Sequence, residues 1–167
     1  YGRPLSDISA TIKAVKGIPS AFGCLLTPYQ MSDLSPSLQI SRAEMLRRVL
    51  DSTGGLLLFE RDTIDGRTWF ASAETSRLVA TYEDTFLKGR RIDIPGQDAS
   101  SVQLLADKTN MLLCIMNDTS KQAEYSVRIP GSRSKWKEFY TGRIVKSGEI
   151  IKLKFPPGEI AVYVRMK

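Results

Sequence analysis

Apolar residues follow two textures along the chain, and they change over near residues 92 to 100. Before that stretch they fall into helical spacings and short continuous runs. After it they alternate with polar residues. The stretch itself, Asp93-Ile94-Pro95-Gly96-Gln97-Asp98, has turn and linker composition. In the first part, Ser6-Asp7 caps a helix with Ile8, Ile12 and Val15 on one face and Gly17 as its stop. Ala21 to Leu26 reads as a buried strand, ended by Thr27-Pro28, and a polar loop with Ser32, Asp33, Ser35 and Pro36 follows. Ser41 caps a second helix with Glu44 in the capping-box position. Met45, Leu46, Val49 and Leu50 form its apolar face, and Gly54-Gly55 ends it.

Gly55 to Phe59 is a second continuous apolar run. Runs apolar on both faces are what parallel strands covered by helices require. The acidic loop Glu60-Arg61-Asp62-Thr63-Ile64-Asp65-Gly66 comes next, then a long helix from Thr68 to about Leu87 with Phe70, Ala73, Leu78, Val79 and Tyr82 inward. Two parallel strands among three helices do not close a domain. The pattern resembles the end of a (β/α)8 barrel or of a doubly wound sheet.

The second part is all strand. Val102–Ala106, Met111–Asn117, Glu124–Ile129, Trp136–Tyr140, Arg143–Val145, Glu149–Phe155 and Glu159–Arg165 are separated by turn residues, among them Asn117-Asp118-Thr119-Ser120 and Pro156-Pro157-Gly158. Short strands at this spacing predict an antiparallel β-sandwich. The fold class is therefore α/β followed by all-β: a partial (β/α)-barrel-like segment over residues 1–94, then a β-sandwich over 95–167.

Composition narrows the chemistry. At 167 residues, 42% hydrophobic and 25% charged, the chain buries a real core and is not disordered. No apolar run reaches the roughly 20 residues of a membrane span. With no histidine, the chain holds no Ser-His-Asp triad, Cys-His dyad or histidine metal site. Cys24 and Cys114 are too few for a four-cysteine zinc site, and each lies in an apolar run as a small hydrophobe. No metal and no cofactor are expected. Gly54-Gly55 lacks the Lys-Ser/Thr of a phosphate loop. The net charge of +6 is uneven, +1 over residues 1–96 and +5 over 97–167. Much of it sits at alternate strand positions such as Lys152 and Lys154, as on a solvated sheet face. One local cluster, Arg133, Lys135 and Lys137 around Trp136, has the chemistry to meet a phosphate or an acidic polysaccharide.

The segments Trp136-Lys-Glu-Phe-Tyr-Thr-Gly142, Glu149 to Phe155 and Pro156-Pro-Gly-Glu-Ile-Ala-Val-Tyr-Val164, with Asn117-Asp118-Thr119, resemble the C-terminal β-sandwich that follows the catalytic barrel in many glycoside hydrolases. Gly54 to Gly66 resembles the eighth barrel strand and its loop, and Tyr82-Glu83-Asp84 would lie on the last barrel helix. The resemblance implies the C-terminal portion of a carbohydrate-active parent that acts on O-glycosyl bonds. Its partners would be an oligo- or polysaccharide and the remainder of the parent chain upstream, with no nucleic acid and no membrane. It favours a secreted or periplasmic location. There is one departure. Many retaining relatives carry a nucleophilic Glu at the end of strand seven, and here that strand ends Leu26-Thr27-Pro28-Tyr29-Gln30. The usual acid would lie upstream, so the segment alone would be inactive.

Glycoside hydrolysis needs two carboxylates flanking the scissile bond. Glu60 and Asp62, at the C-terminal end of a parallel strand, are the catalytic candidates. They stand two residues apart and share a side if the chain stays extended. Tyr29, Gln30, Asp65 and Trp69 are the substrate-binding candidates, the aromatic rings suiting the apolar C–H face of a sugar. The plain alternatives are helix capping and turn formation for the acids and a core position for Trp69. Glu83-Asp84 points to two sides of a helix surface. Two other readings stay open. One is a non-catalytic carbohydrate-binding module using Trp136 and Tyr140. The other is a structural or assembly module in which Trp136, Phe139 and Tyr140 are buried.

Overall fold

The structure is a computed structural model that describes residues 41–51 and 66–166 together with the short strands 24–26 and 56–58. The helix expected after Ser6, the polar loop around Ser32 to Pro36, the Gly54-Gly55 stop and the loop from Glu60 to Asp65 lie outside the described residues. The chain divides into two compact units, Tyr1–Thr75 and Ser76–Lys167.

In the first unit, β1 (Cys24–Leu26) and β2 (Leu56–Leu58) pair in parallel, with Cys24 opposite Leu56 and Leu26 opposite Leu58. Helix α1 (Arg42–Asp51) lies between them in sequence. It begins as the sequence requires. The Ser41 hydroxyl accepts the Glu44 N–H at 3.2 Å, satisfying one of the first-turn donors that no helical carbonyl reaches. The Glu44 carboxylate takes Arg48 one turn on at 2.6 Å. Met45, Leu46, Val49 and Leu50 are all buried. Arg42 reaches Glu74 at 2.8 Å and ties α1 to the next helix.

That helix corrects the sequence reading. One helix was expected from Thr68 to Leu87, and two are present, α2 (Gly66–Thr81) and α3 (Glu83–Lys88). Tyr82 leaves helical geometry between them, at φ −126° and ψ 36°. The buried stripe is also different. Phe70 is 62% exposed and Ala73 is exposed, while Thr68, Ala71, Thr75, Leu78 and Thr85 are buried. Their spacing keeps one face inward, but small and hydroxylic residues fill it, which a search for large apolar side chains passes over. Among the described residues no helix is long and apolar enough to cross a membrane.

The rest of the second unit is an antiparallel β-sandwich. Its strands are β3 (Arg90–Ile92), β4 (Val102–Ala106), β5 (Met111–Met116), β6 (Ala123–Arg128), β7 (Lys135–Glu138), β8 (Ile144–Lys146), β9 (Ile150–Phe155) and β10 (Ile160–Arg165). One sheet has the order β3-β4-β5-β10-β7-β8, and the other is the pair β6-β9. Every pairing in both is antiparallel. The core between them holds Leu113, Ile115, Trp136 and Tyr163 from the large sheet and Val127, Ile151 and Phe155 from the small one. The Tyr125 hydroxyl donates to the Met116 carbonyl at 3.0 Å. Alternation is regular on β9, where Ile151 and Phe155 face in and Lys152 and Lys154 face out. On β5 and β10 it fails, since Leu112, Cys114, Met116, Ile160 and Val162 on the second face are buried too.

Helix α3 ends at Gly89, whose N–H donates to the Thr85 carbonyl at 3.0 Å. A Cβ there would come 2.2 Å from that same oxygen, so only glycine makes this approach.

Candidate functional site

The catalytic candidates Glu60 and Asp62 and the substrate candidates Tyr29, Gln30 and Asp65 lie outside the described residues. Trp69 is described. It sits in the first turn of α2 and is 46% exposed, so it is not a core residue. The described residues therefore bring none of the six together. They fix the two strands that precede five of them. β1 and β2 run the same way, in register. Among the described residues no three His, Cys, Asp or Glu side chains are placed to hold a metal ion.

Trp136 and Tyr140 do not form a sugar platform. Trp136 is fully buried in the sandwich core. Tyr140 and Phe139 are half-buried and meet edge to face at 5.1 Å between centroids. The Arg77 guanidinium lies over both rings, 5.2 Å from the Phe139 centroid and 5.9 Å from that of Tyr140, a cation–π arrangement that occupies the faces a sugar would need. Tyr82 closes the cluster against Phe139 at 5.9 Å.

Two buried polar side chains hold the sandwich turns. Asn117 follows β5 and is fully buried. Its amide nitrogen donates to the carbonyls of Lys121, Phe155 and Pro156 at 2.8, 3.1 and 3.0 Å. Its oxygen accepts the Thr119 hydroxyl at 2.7 Å and the Thr119 N–H at 3.2 Å. Its backbone carbonyl accepts the Gly158 N–H at 2.8 Å. The Asn-Asp-Thr turn and the Pro-Pro-Gly turn, far apart in sequence, are thus one clamp. Glu138, on β7, is the second, and the sequence reading did not single it out. It is 5% exposed. One carboxylate oxygen accepts the Tyr140 N–H, the Thr141 N–H and the Thr141 hydroxyl at 3.0, 2.6 and 2.7 Å. The other accepts the Val162 N–H at 3.2 Å. The signal was a glutamate three residues before Thr-Gly on an alternating strand, where the alternation places it inward.

Cys114 is a free, buried thiol, and burial pushes its pKa up to about 12. It stays protonated and unreactive at neutral pH, which suits a small hydrophobe.

Beside α3 lies a cleft of about 670 Å³ lined by Asp84, Lys88, Arg90, Ile92, Asp107 and Lys108. Its charges are mostly satisfied. Lys88 pairs with Asp84 at 2.6 Å. The Asp107 carboxylate accepts the Thr85 hydroxyl, the Asn110 N–H at 2.7 Å and the Thr109 N–H at 2.5 Å. These bonds, the Thr85 hydroxyl first, hold its carboxyl well below the usual carboxylate range. A pKa depressed in the folded state stabilises above the unfolded value, and the contribution is lost as pH falls through about 4 toward the folded value. Asp107→Asn should therefore cost on the order of 1 kcal/mol at pH 7, and less as the pH falls below about 4. Urea unfolding at pH 7 and pH 3 checks this. A gap between the two proteins that widens at pH 3 would contradict it.

No protein-family model matches the chain, and no curated protein matches it. Solved structures do match in fold. An α-amylase from Geobacillus thermoleovorans, solved with acarbose, aligns at a TM-score of 0.61 and 13% identity over 99% of this chain and 43% of that one. An Anoxybacillus α-amylase aligns at 0.60 and 11% identity over 98% of this chain and 42% of that one. An α-galactosidase I from Mortierella vinacea aligns at 0.50 and 14% identity over 75% of this chain and 34% of that one. The chain has the fold of a portion of these glycoside hydrolases, as the resemblance in its sequence implies. It spans less than half of the length of each.

Proposed function

We propose that the chain is the C-terminal portion of a carbohydrate-active, glycoside-hydrolase-like protein. In this reading the residues before β3 contribute part of a (β/α)8 barrel rim, and β3 to β10 form the sandwich that supports it, so the sandwich begins at Arg90 and not at the residue 95 that the sequence texture suggests. The observation that carries it is a fold likeness spanning nearly all of this chain but 43% of the α-amylase.

The parallel pair supports the placement of the site. Two strands in register and running the same way send their following segments out at one end of the sheet, where active sites of such folds collect. In sequence, Tyr29 and Gln30 come shortly after Leu26, and Glu60 and Asp62 shortly after Leu58. Glu60 and Asp62 supply carboxylates, with the second acid-base partner drawn from upstream at about 5–5.5 Å for retention or 6.5–9.5 Å for inversion. Asp65 and Gln30 hydrogen-bond sugar hydroxyls, and Tyr29 and the exposed Trp69 offer ring faces. The ligand is an oligo- or polysaccharide.

The test uses the full-length protein with Glu60→Gln and Asp62→Asn on a panel of neutral oligosaccharides. A carboxylate that acts on the reacting bond should lose about a thousandfold or more in kcat with KM little changed. One that only holds the sugar should raise KM about tenfold at constant kcat. A wild-type protein that neither binds nor hydrolyses any glycan would overturn the proposal.

A further inference from the structure

The large sheet ends in a face that carries lysines and no acid. On β7, Trp136 and Glu138 point into the molecule, and Lys135 and Lys137 point out. On β8, Val145 points in, and Ile144 and Lys146 point out. The register sets Lys135 directly opposite Lys146 and Lys137 opposite Ile144. On the other side of β7, Val164 lies opposite Lys137, and the Met166 N–H donates to the Lys135 carbonyl at 2.8 Å. Ile144 is 55% and Met166 40% exposed.

Like charges directly opposite on neighbouring strands, with Cβ atoms about 5 Å apart, destabilise a sheet. Here nothing among the described residues offsets them. Among the described residues none of the three lysines has an ion-pair partner. Glu138, next to Lys137, points inward and spends its carboxylate on the Tyr140, Thr141 and Val162 N–H groups, and Glu149, three residues after Lys146, directs its carboxylate to the Lys146 backbone N–H at 3.1 Å. Protection of a sheet edge would account for Lys146 on the terminal strand β8. It does not account for Lys135 and Lys137, because β7 lies inside the sheet between β10 and β8.

We propose that this face docks a linear polyanion, a carboxylated or sulfated glycan, laid across β7 and β8. Lysines about 7 Å apart along the strand and about 5 Å across it present a row of point charges on a flat surface. Ammonium groups read charge density, where arginine forks would read one anion's shape. Ile144 and Met166 give the polymer's apolar C–H surface a footing between the charges. Three lysines and two separated apolar side chains fall short of the 4–8 basic residues that mark an anionic-lipid surface. The choice of a sugar polymer rests on the carbohydrate-active reading above.

The experiment measures binding of the full-length protein to dextran sulfate and to unsubstituted dextran at low salt, where charge interactions are least screened. The protein should bind the sulfated polymer and ignore the neutral one. A Lys135→Ser, Lys137→Ser, Lys146→Ser variant should bind at least tenfold more weakly. A Lys121→Ser, Lys152→Ser, Lys154→Ser variant, equal in charge, should stay within twofold of wild type. Lys146→Glu should weaken binding while leaving the melting temperature unchanged or higher, since it turns a like pair into an opposite one. Equal losses in both triple variants would reduce the effect to net charge and overturn the proposal. So would tighter binding to phosphatidylserine vesicles or poly-glutamate than to the sulfated polymer, or a lower melting temperature for Lys146→Glu. Glu60→Gln should bind dextran sulfate like wild type, which separates failure here from failure of the rim site.

Discussion

Asn117→Asp should destabilise the sandwich by about 4 kcal/mol at pH 7, although it changes almost no volume. The Asn117 amide nitrogen faces three carbonyl oxygens, those of Lys121, Phe155 and Pro156. An ionised aspartate has no proton to give, so it would set a buried negative charge against three acceptors. Each buried group left without a partner costs about 1–3 kcal/mol, and more when it is charged. A domain is stable by only about 5–15 kcal/mol, so the variant stands near unfolding. Stability should partly recover as the pH falls, because a protonated acid donates again, the opposite sign to Asp107. Urea unfolding at pH 7 and pH 4 measures both. A loss under about 1 kcal/mol would mean that the clamp between the Asn-Asp-Thr and Pro-Pro-Gly turns is not what joins them.

Trp136→Ala should cost about 3–5 kcal/mol, the range for a large aromatic removed from a packed core. Trp136 is fully buried and belongs to the cluster that joins the two sheets. Trp136→Phe should cost clearly less, because it also removes an indole N–H that has no acceptor among the described residues. Denaturant unfolding of both variants gives the comparison. A cost near zero for the alanine variant would put the ring at the surface and restore the binding-module reading of this strand.

Seven of the eight strands of the second unit were legible from alternation and turn residues, with ends within one or two positions. β3 was not, because Arg90 and Arg91 make it look like solvated linker. It is an edge strand, half free of the core, and its pairing with β4 is what holds it. The rule that a run apolar on both faces marks a covered strand applied beyond the parallel segment. Met111 to Met116 is such a run, and in antiparallel β5 both of its faces are buried. The break at Tyr82 was not legible, since contacts distant in sequence flank it, Tyr82 to Phe139 and Thr85 to Asp107. Trp69 shows the limit at the site. Its spacing suited a core, and its exposure depends on what packs beside the first turn of α2, which no local pattern carries. For Glu60 and Asp62 the sequence supplied residue type and position after a strand. Their geometry lies outside the described residues.

The measurement that tests the central claim most directly is the mass of the native protein, by immunoblot with an antibody raised against this chain. The account predicts a band more than twice the 18.6 kDa of these residues, since they span 43% of the α-amylase they align with. A band at 18.6 kDa would contradict it. The barrel reading would then fall, and a small sandwich-based binding or assembly protein would replace it.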